Sequence, residues 1–386
     1  PPLPRGTSKT SEASIDAHNI PRKGDFVCDI LSVMQYLARS ETLTRRSIFL
    51  LFALLPFFFI PVPWVSVAQA KIILATVLAI VALMAWISAS LNESRFRIPL
   101  SPLLLAAILV PVAYLISAVA TGASWESFFG QATTQDTVIG SVVWYVLLFV
   151  SATVLSQGYD RILLALRLLL TGCSIVLLVQ VIHLALPSFT FGGALSIAPA
   201  SIVGSWHDLG IFLGLMTFIS IALIGTPSGG GYWRFFAFFN ALVAALFLVI
   251  INYSDIWIGL FSVCIFYAFF VYRTRILGSN VFQLWKLYMW LVFAALALGL
   301  YFAGTVLHAA LPARLQVAQI EVRPSWQGTL LIGQKVFAEP SQIFFGSGPS
   351  TFSREWGLYK PLAVNTTQFW NTDFYQFTGG SLPCKF

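Results

Sequence analysis

The sequence predicts an all-α, polytopic integral membrane protein, and three observations carry that prediction. Of its 386 residues, 58% are hydrophobic and only 10% are charged, whereas soluble domains carry about 25% charged residues. Apolar stretches close to the roughly 20 residues that a bilayer crossing needs recur nine times between residues 47 and 311. The basic residues lie between those stretches and gather in alternate connections. The same composition, with 27 Gly, 19 Pro and 4 Cys, excludes disorder, collagen and a disulfide scaffold. Cys28, Cys173, Cys264 and Cys384 stand singly, without a CxxC pair, so no zinc site or disulfide frame follows. The net charge of +7 forms no patch, which argues for topology rather than nucleic-acid binding.

Residues 1–46 are polar and mixed in charge. They lack the short basic lead and cleavage site of a secretory signal and are expected to form a cytoplasmic tail. Residues 47–311 form the transmembrane domain, with spans expected at 47–69, 71–91, 99–120, 138–156, 162–186, 208–225, 233–252, 255–272 and 287–311. Pro56, Pro61 and Pro63 interrupt the first of these, a break that a helix packed among neighbours tolerates.

Charge orients the array. The tail, Arg95 and Arg97, Arg161, Arg234, and then Arg273, Arg275 and Lys286 all fall on one side. The loops near 121–137, 187–207 and 252–254 contain no Lys or Arg, and Lys71 is borderline. Positive residues stay on the cytoplasmic side, so the amino terminus is placed in the cytoplasm of a plasma (inner) membrane protein. Nine crossings then carry residues 312–386 outside. This last segment holds six basic and four acidic residues, and being long and polar it is where chemistry is expected. Ser325, after Pro324, suits the cap of a helix running to about Ala338 and stopped by Pro340;. Gly346-Ser347-Gly348-Pro349 signals a turn;, after which Phe352, Trp356 and Tyr359 recur at helical spacing. The chain starts without Met and stops within this segment, so a truncated product is expected.

Ionisable groups in or beside spans are costly in a bilayer and therefore informative. Arg167, near the cytoplasmic end of its span, is expected to snorkel. His207 and Asp208 at the edge of the sixth span and Asp255 at the edge of the eighth could meet at the mouth of one cavity. The competing reading is that each Asp caps its helix start. His183 and His308 at span ends are read as interface residues, and no metal constellation is present.

Several segments, in order, resemble the O-antigen ligase and O-antigen polymerase-like family of polytopic membrane glycosyltransferases. They are Arg323-Pro324-Ser325-Trp326, then Phe344 to Phe352 with its GxGxxxF pattern, then Asn365 to Phe374. Weaker echoes are Ser127-Phe128-Phe129-Gly130 and Gly204 to Gly210. The resemblance covers roughly residues 100–380. It implies about twelve spans, three of them missing here, and transfer of a glycan from an undecaprenyl-pyrophosphate carrier to a glycan, lipid or protein acceptor. It implies no cofactor and no metal.

Such a reaction needs cations for the departing pyrophosphate, a base for the acceptor hydroxyl and a groove for the polyprenyl tail. Guanidinium forks suit pyrophosphate, which singles out Arg323, with Arg314 and Arg354 behind it. Pairing with Glu321 and Glu355, or with lipid head groups, is the alternative for these arginines. The family's loop His, commonly ahead of Asn, is replaced by Val364-Asn365 and Trp370-Asn371. Asp373, among aromatic residues, is the substitute base, unless it merely caps a turn. Asn365 and Asn371 join His207, Asp208 and Asp255 as expected substrate contacts. Where the family often opens a span with Ser-Arg, this chain has Ser254-Asp255; either Asp255 orients a loop arginine, or this relative uses another acceptor or has lost activity. The absence of P-loop, GxSxG and HExxH motifs fits a carrier-activated donor and equally fits a transporter or flippase. A cell-shape or sporulation type glycan polymerase of related architecture and a non-catalytic relative are the remaining readings.

Overall fold

The computed structural model describes residues 40–366 and Trp370, apart from short stretches at 63–64, 93–95, 97, 100, 123, 131–135, 187, 189, 194, 196–199, 227–229, 277–283 and 317–325. It is all-helical among these residues, with eight helices long and apolar enough to cross a membrane. In chain order the helices are α1 (40–54), α2 (Val67–Asn92), α3 (Pro102–Ala107), α4 (Leu109–Ala120), α5 (Trp125–Phe129), α6 (Val138–Leu155), α7 (Tyr159–Ala185), α8 (Trp206–Ile224), α9 (Gly230–Ile251), α10 (Ser254–Ile276), α11 (Leu284–Ala309), α12 (Trp326–Phe337) and α13 (Phe352–Tyr359). Helices α3 and α4 are two parts of one span, Pro102–Ala120. Each of the last eight expected spans coincides with one of the long helices, because an apolar run of that length has to satisfy its own backbone in lipid.

The first expected span, 47–69, is corrected. Helix α1 is already formed at residue 40, where the described residues begin, and ends at residue 54, with a turn at 55–57 and no further helix among the described residues before Val67. Proline lacks the N–H that a continuing helix requires at Pro56, and the carbonyls of Leu55 and Pro56, left open where the helix stops, accept from Lys71 Nζ at 2.6 and 2.8 Å. Leu51 packs with Ala75, Leu78 and Ala79, while Ile48 packs with Ala82. Rising numbers on α1 thus meet falling numbers on α2, and the two lie antiparallel. Fifteen helical residues rise about 22 Å. That falls short of a hydrocarbon core about 30 Å thick, and α1 is not among the eight membrane-length helices of the described residues.

Small residues set the packing of the bundle, as expected where lipid offers no hydrophobic drive between helices. Ala75, Ala79 and Ala82 are buried at spacings of four and three on α2, and Ala237, Ala241 and Ala244 do the same on α9. Ser174 of α7 donates to Asn240 Oδ1 of α9 at 2.9 Å, a polar tie across the same seam. Helix α8 is the most enclosed of the spans. On the outside, Met84, Leu103, Phe266 and Phe302 are more than 60% exposed, as suits side chains that face lipid. Arg167 stacks over the Trp233 ring at 5.1 Å, so its charge rests on α9 at the end of the bundle where the basic connections lie.

The opposite end carries the late segment. Helices α12 and α13 pair through Ile332, Val336 and Trp356, with the helical spacing of Phe352, Trp356 and Tyr359 matching α13. The glycine-rich turn ahead of α13 sits on the end of α4 and on α5. Ser117 Oγ donates to the Phe345 carbonyl at 2.7 Å. At Gly348, with φ of 103°, a side chain would strike Thr121 Oγ1 and Ser127 Oγ, so glycine serves both the backbone angle and the close approach.

Candidate functional site

Two polar centres lie at the end of the bundle that bears the late segment. The first is built on α8 and α10, parallel neighbours whose amino termini share that end. Helix α8 opens with a capping box, Ser205 Oγ accepting from Asp208 N at 3.1 Å and Asp208 Oδ2 accepting from Ser205 N at 3.0 Å. The cap fixes the first turn and directs His207 inward, where its side chain is 8% exposed. Helix α9 reverses into α10 through only Asn252 and Tyr253. Asn252 takes the left-handed φ of 52° that so tight a reversal requires, which asparagine tolerates better than most residues. The reversal delivers Asp255 to His207, with Nε2 and Oδ2 2.8 Å apart, and sets Tyr253 edge-on to the imidazole at 4.7 Å. Asp255 Oδ1 also accepts from Ile256 N at 3.1 Å. Its side chain is 59% exposed, so the carboxylate faces outward while the imidazole backs it.

Beneath this pair runs an apolar groove of about 370 Å³, lined by Ile211, Gly214 and Phe218 of α8 and by Asp255, Gly259 and Val263 of α10. Between Asp255 and Val263 it descends about 12 Å toward mid-membrane. Glycine makes it: no atom stands within 4 Å of where a side chain at Gly259 would begin. The arrangement is an apolar channel on the membrane-facing side of two helices, headed by a carboxylate, an imidazole and two helix amino termini. Chemically it suits a long hydrocarbon chain with a polar head, the head meeting groups that can orient or exchange a proton.

The second centre is a cavity of about 310 Å³ under the turn 346–351, walled by α12, α13, Tyr114 and Asp136. Glu355, 5% exposed, lines it. Arg354 donates to Glu355 Oε1 from Nε at 3.2 Å and from Nη2 at 3.0 Å.

The sequence-predicted residues distribute as follows. Of His207, Asp208 and Asp255, the structure joins the first and third. The Asp208 carboxylate is instead held by Ser205, which also donates its hydroxyl to Oδ2 at 2.8 Å. Arg354 is paired with Glu355, the alternative foreseen for it, and Arg314 lies exposed in the turn after α11. Asn365 is exposed in a short 3-10 turn, Leu362–Thr366. Arg323, Asn371 and Asp373 lie outside the described residues, as do Glu321 and Ser325. His183, read as an interface residue, is buried, and its Nδ1 has no hydrogen-bond partner among the described residues. Sequence reasoning missed Glu355 as a buried group and Lys71 as the cap of a broken helix. The weak signal for Lys71 was a lone cation one helical start beyond three prolines. No group of three potential metal ligands occurs among the described residues.

Compared with known proteins, the chain matches no family model, no curated protein and no solved structure.

Proposed function

We propose that this is a lipid-carrier-dependent membrane glycosyltransferase, similar in kind to the O-antigen ligases and polymerases, working at the outer face of the plasma (inner) membrane with its amino terminus in the cytoplasm. The single observation that carries this reading is the α8–α10 groove headed by His207 and Asp255. Its apolar floor would take the polyprenyl tail. Asp208 and Asp255 already occupy the two helix amino termini at its mouth, so the cations for an anionic head group would come from the late segment. Asp255, exposed and backed by His207, would orient an arginine of the late segment, Arg323 first, onto the leaving pyrophosphate. The acceptor hydroxyl would attack the anomeric carbon as its bond to the pyrophosphate oxygen breaks, with Asp373 taking the hydroxyl proton.

The transporter reading draws on the interrupted first crossing, since broken helices often mark transport sites. The two carbonyls freed at that break are already occupied by Lys71, which leaves the break capped rather than open to a coordinated solute. Vesicles containing the full-length protein and an undecaprenyl-pyrophosphate-linked glycan decide between the two. The expected result is product formation that Arg323→Ala and Asp373→Asn abolish while insertion is unchanged. Gly259→Leu, which fills the groove from an open position, should lower turnover at least tenfold. Uptake of free solute without glycan transfer would replace this reading with the transporter.

A further inference from the structure

We propose that the cavity under the turn 346–351 is a binding site for a neutral polyhydroxylated ligand of about one sugar ring, with Glu355 as its anchoring acceptor. This goes beyond the carrier groove and stands without carrier turnover. The cavity shares no lining residue with that groove. At about 310 Å³ it falls at the lower end of small-molecule sites.

Glu355 is the key observation. A carboxylate 5% exposed is costly unless its charge is compensated and its oxygens are bonded. Arg354 compensates the charge but engages Oε1 alone. Among the described residues Oε2 accepts no hydrogen bond, and the side chain borders empty space. Thr329 stands in the same wall, and its buried Oγ1 likewise has no partner among the described residues. Buried polar atoms are nearly always satisfied, so the orphaned Thr329 hydroxyl, beside a carboxylate oxygen that accepts no bond among the described residues, calls for a partner from elsewhere.

The chemistry of the wall selects that donor. Asp136 adds a second carboxylate, and Ser347, Ser350 and Thr351 contribute hydroxyls from the turn. Phosphate or carboxylate ligands would meet like charge here. A divalent cation would find only two carboxylates. Ligand hydroxyls, in contrast, can donate to Glu355 and exchange bonds with the serines, while Tyr114, Ile332 and Phe352 offer apolar surface for C–H faces of a ring.

The test is equilibrium titration of the full chain in lipid nanodiscs with D-glucose, D-galactose and N-acetyl-D-glucosamine, with glucose 1-phosphate as the anionic counter-probe. At least one neutral sugar should bind saturably and more tightly than the phosphate. Glu355→Gln should weaken that binding about tenfold, the effect of losing one charge-assisted hydrogen bond. Should that variant fail to fold, Gly333→Leu decides. Its helical position leaves only Phe337 near the added side chain, so the helix is kept while the cavity is filled and binding is lost. Saturation by none of the neutral sugars, tighter binding of the phosphate, or unchanged binding in folded Glu355→Gln or Gly333→Leu would overturn the assignment.

Discussion

At the scale of single residues, the His207–Asp255 bond illustrates how a pair between helices differs from a cap. Asp208 and Asp255 both stand in the first turn of a helix, where the dipole favours an acid;. Asp208 spends its carboxylate on Ser205, whereas Asp255 presents one oxygen to a buried imidazole on another helix. Asp255→Asn keeps the shape and removes the charge. A hydrogen bond to a charged group contributes about 1.5–3 kcal/mol, so glycan transfer should fall about ten- to a hundredfold, measured on vesicles normalised for inserted protein. Asp208→Asn retains a capping side chain and should leave transfer within about twofold. Equal losses in the two variants would assign both acids to helix capping and remove Asp255 from the site. Arg354 shows the reverse lesson: its neighbour Glu355 claims it, and only the packing of α13 against α12 makes that carboxylate buried. Nothing in the order of residues 352–359 reports such burial, which is why the sequence pointed to the arginine and passed over the acid.

At the scale of elements, legibility followed length. Eight apolar runs became helices where they were expected, since lipid leaves the backbone no other partner. The first run failed because its prolines cut the hydrogen-bond ladder, and a helix that stops at residue 54 took its place. What stabilises the break is a single side chain on the next helix. Lys71→Met would leave the Leu55 and Pro56 carbonyls without their donor inside the bundle, at a cost of about 1–3 kcal/mol for each group left unsatisfied. Relief from burying an ammonium offsets part of this, yet two orphaned carbonyls outweigh one partly buried cation. The expected outcome is a lower unfolding temperature in detergent, with protein that remains inserted. Gly172 reports on the same joint: a methyl group there would sit 2.9 Å from Pro56 Cγ and 3.3 Å from the Ala53 carbonyl, too close to fit without moving α1.

At the scale of the whole molecule, both polar centres lie at the end of the bundle opposite the basic connections. The function proposed for them therefore depends on which way the bundle is inserted. The direction of α1 matters here: it packs antiparallel to α2, and nine crossings would put residue 40 and the late segment on opposite sides. Had α1 lain flat, the tail and the late segment would share a side, against the clustering of Arg39, Arg45 and Arg46 with the other basic connections;. The decisive measurement is labelling of introduced thiols by a membrane-impermeant maleimide in intact spheroplasts. Cys173 and Cys264 are buried, so replacing Cys28 and Cys384 by serine leaves a quiet background. Lys360→Cys, partly exposed after α13, should label without lysis, and Arg234→Cys, exposed at the basic end, should label only after it. The opposite pattern would place the groove mouth and the Glu355 cavity in the cytoplasm, where a carrier-linked glycan awaiting transfer at the outer face could not reach them.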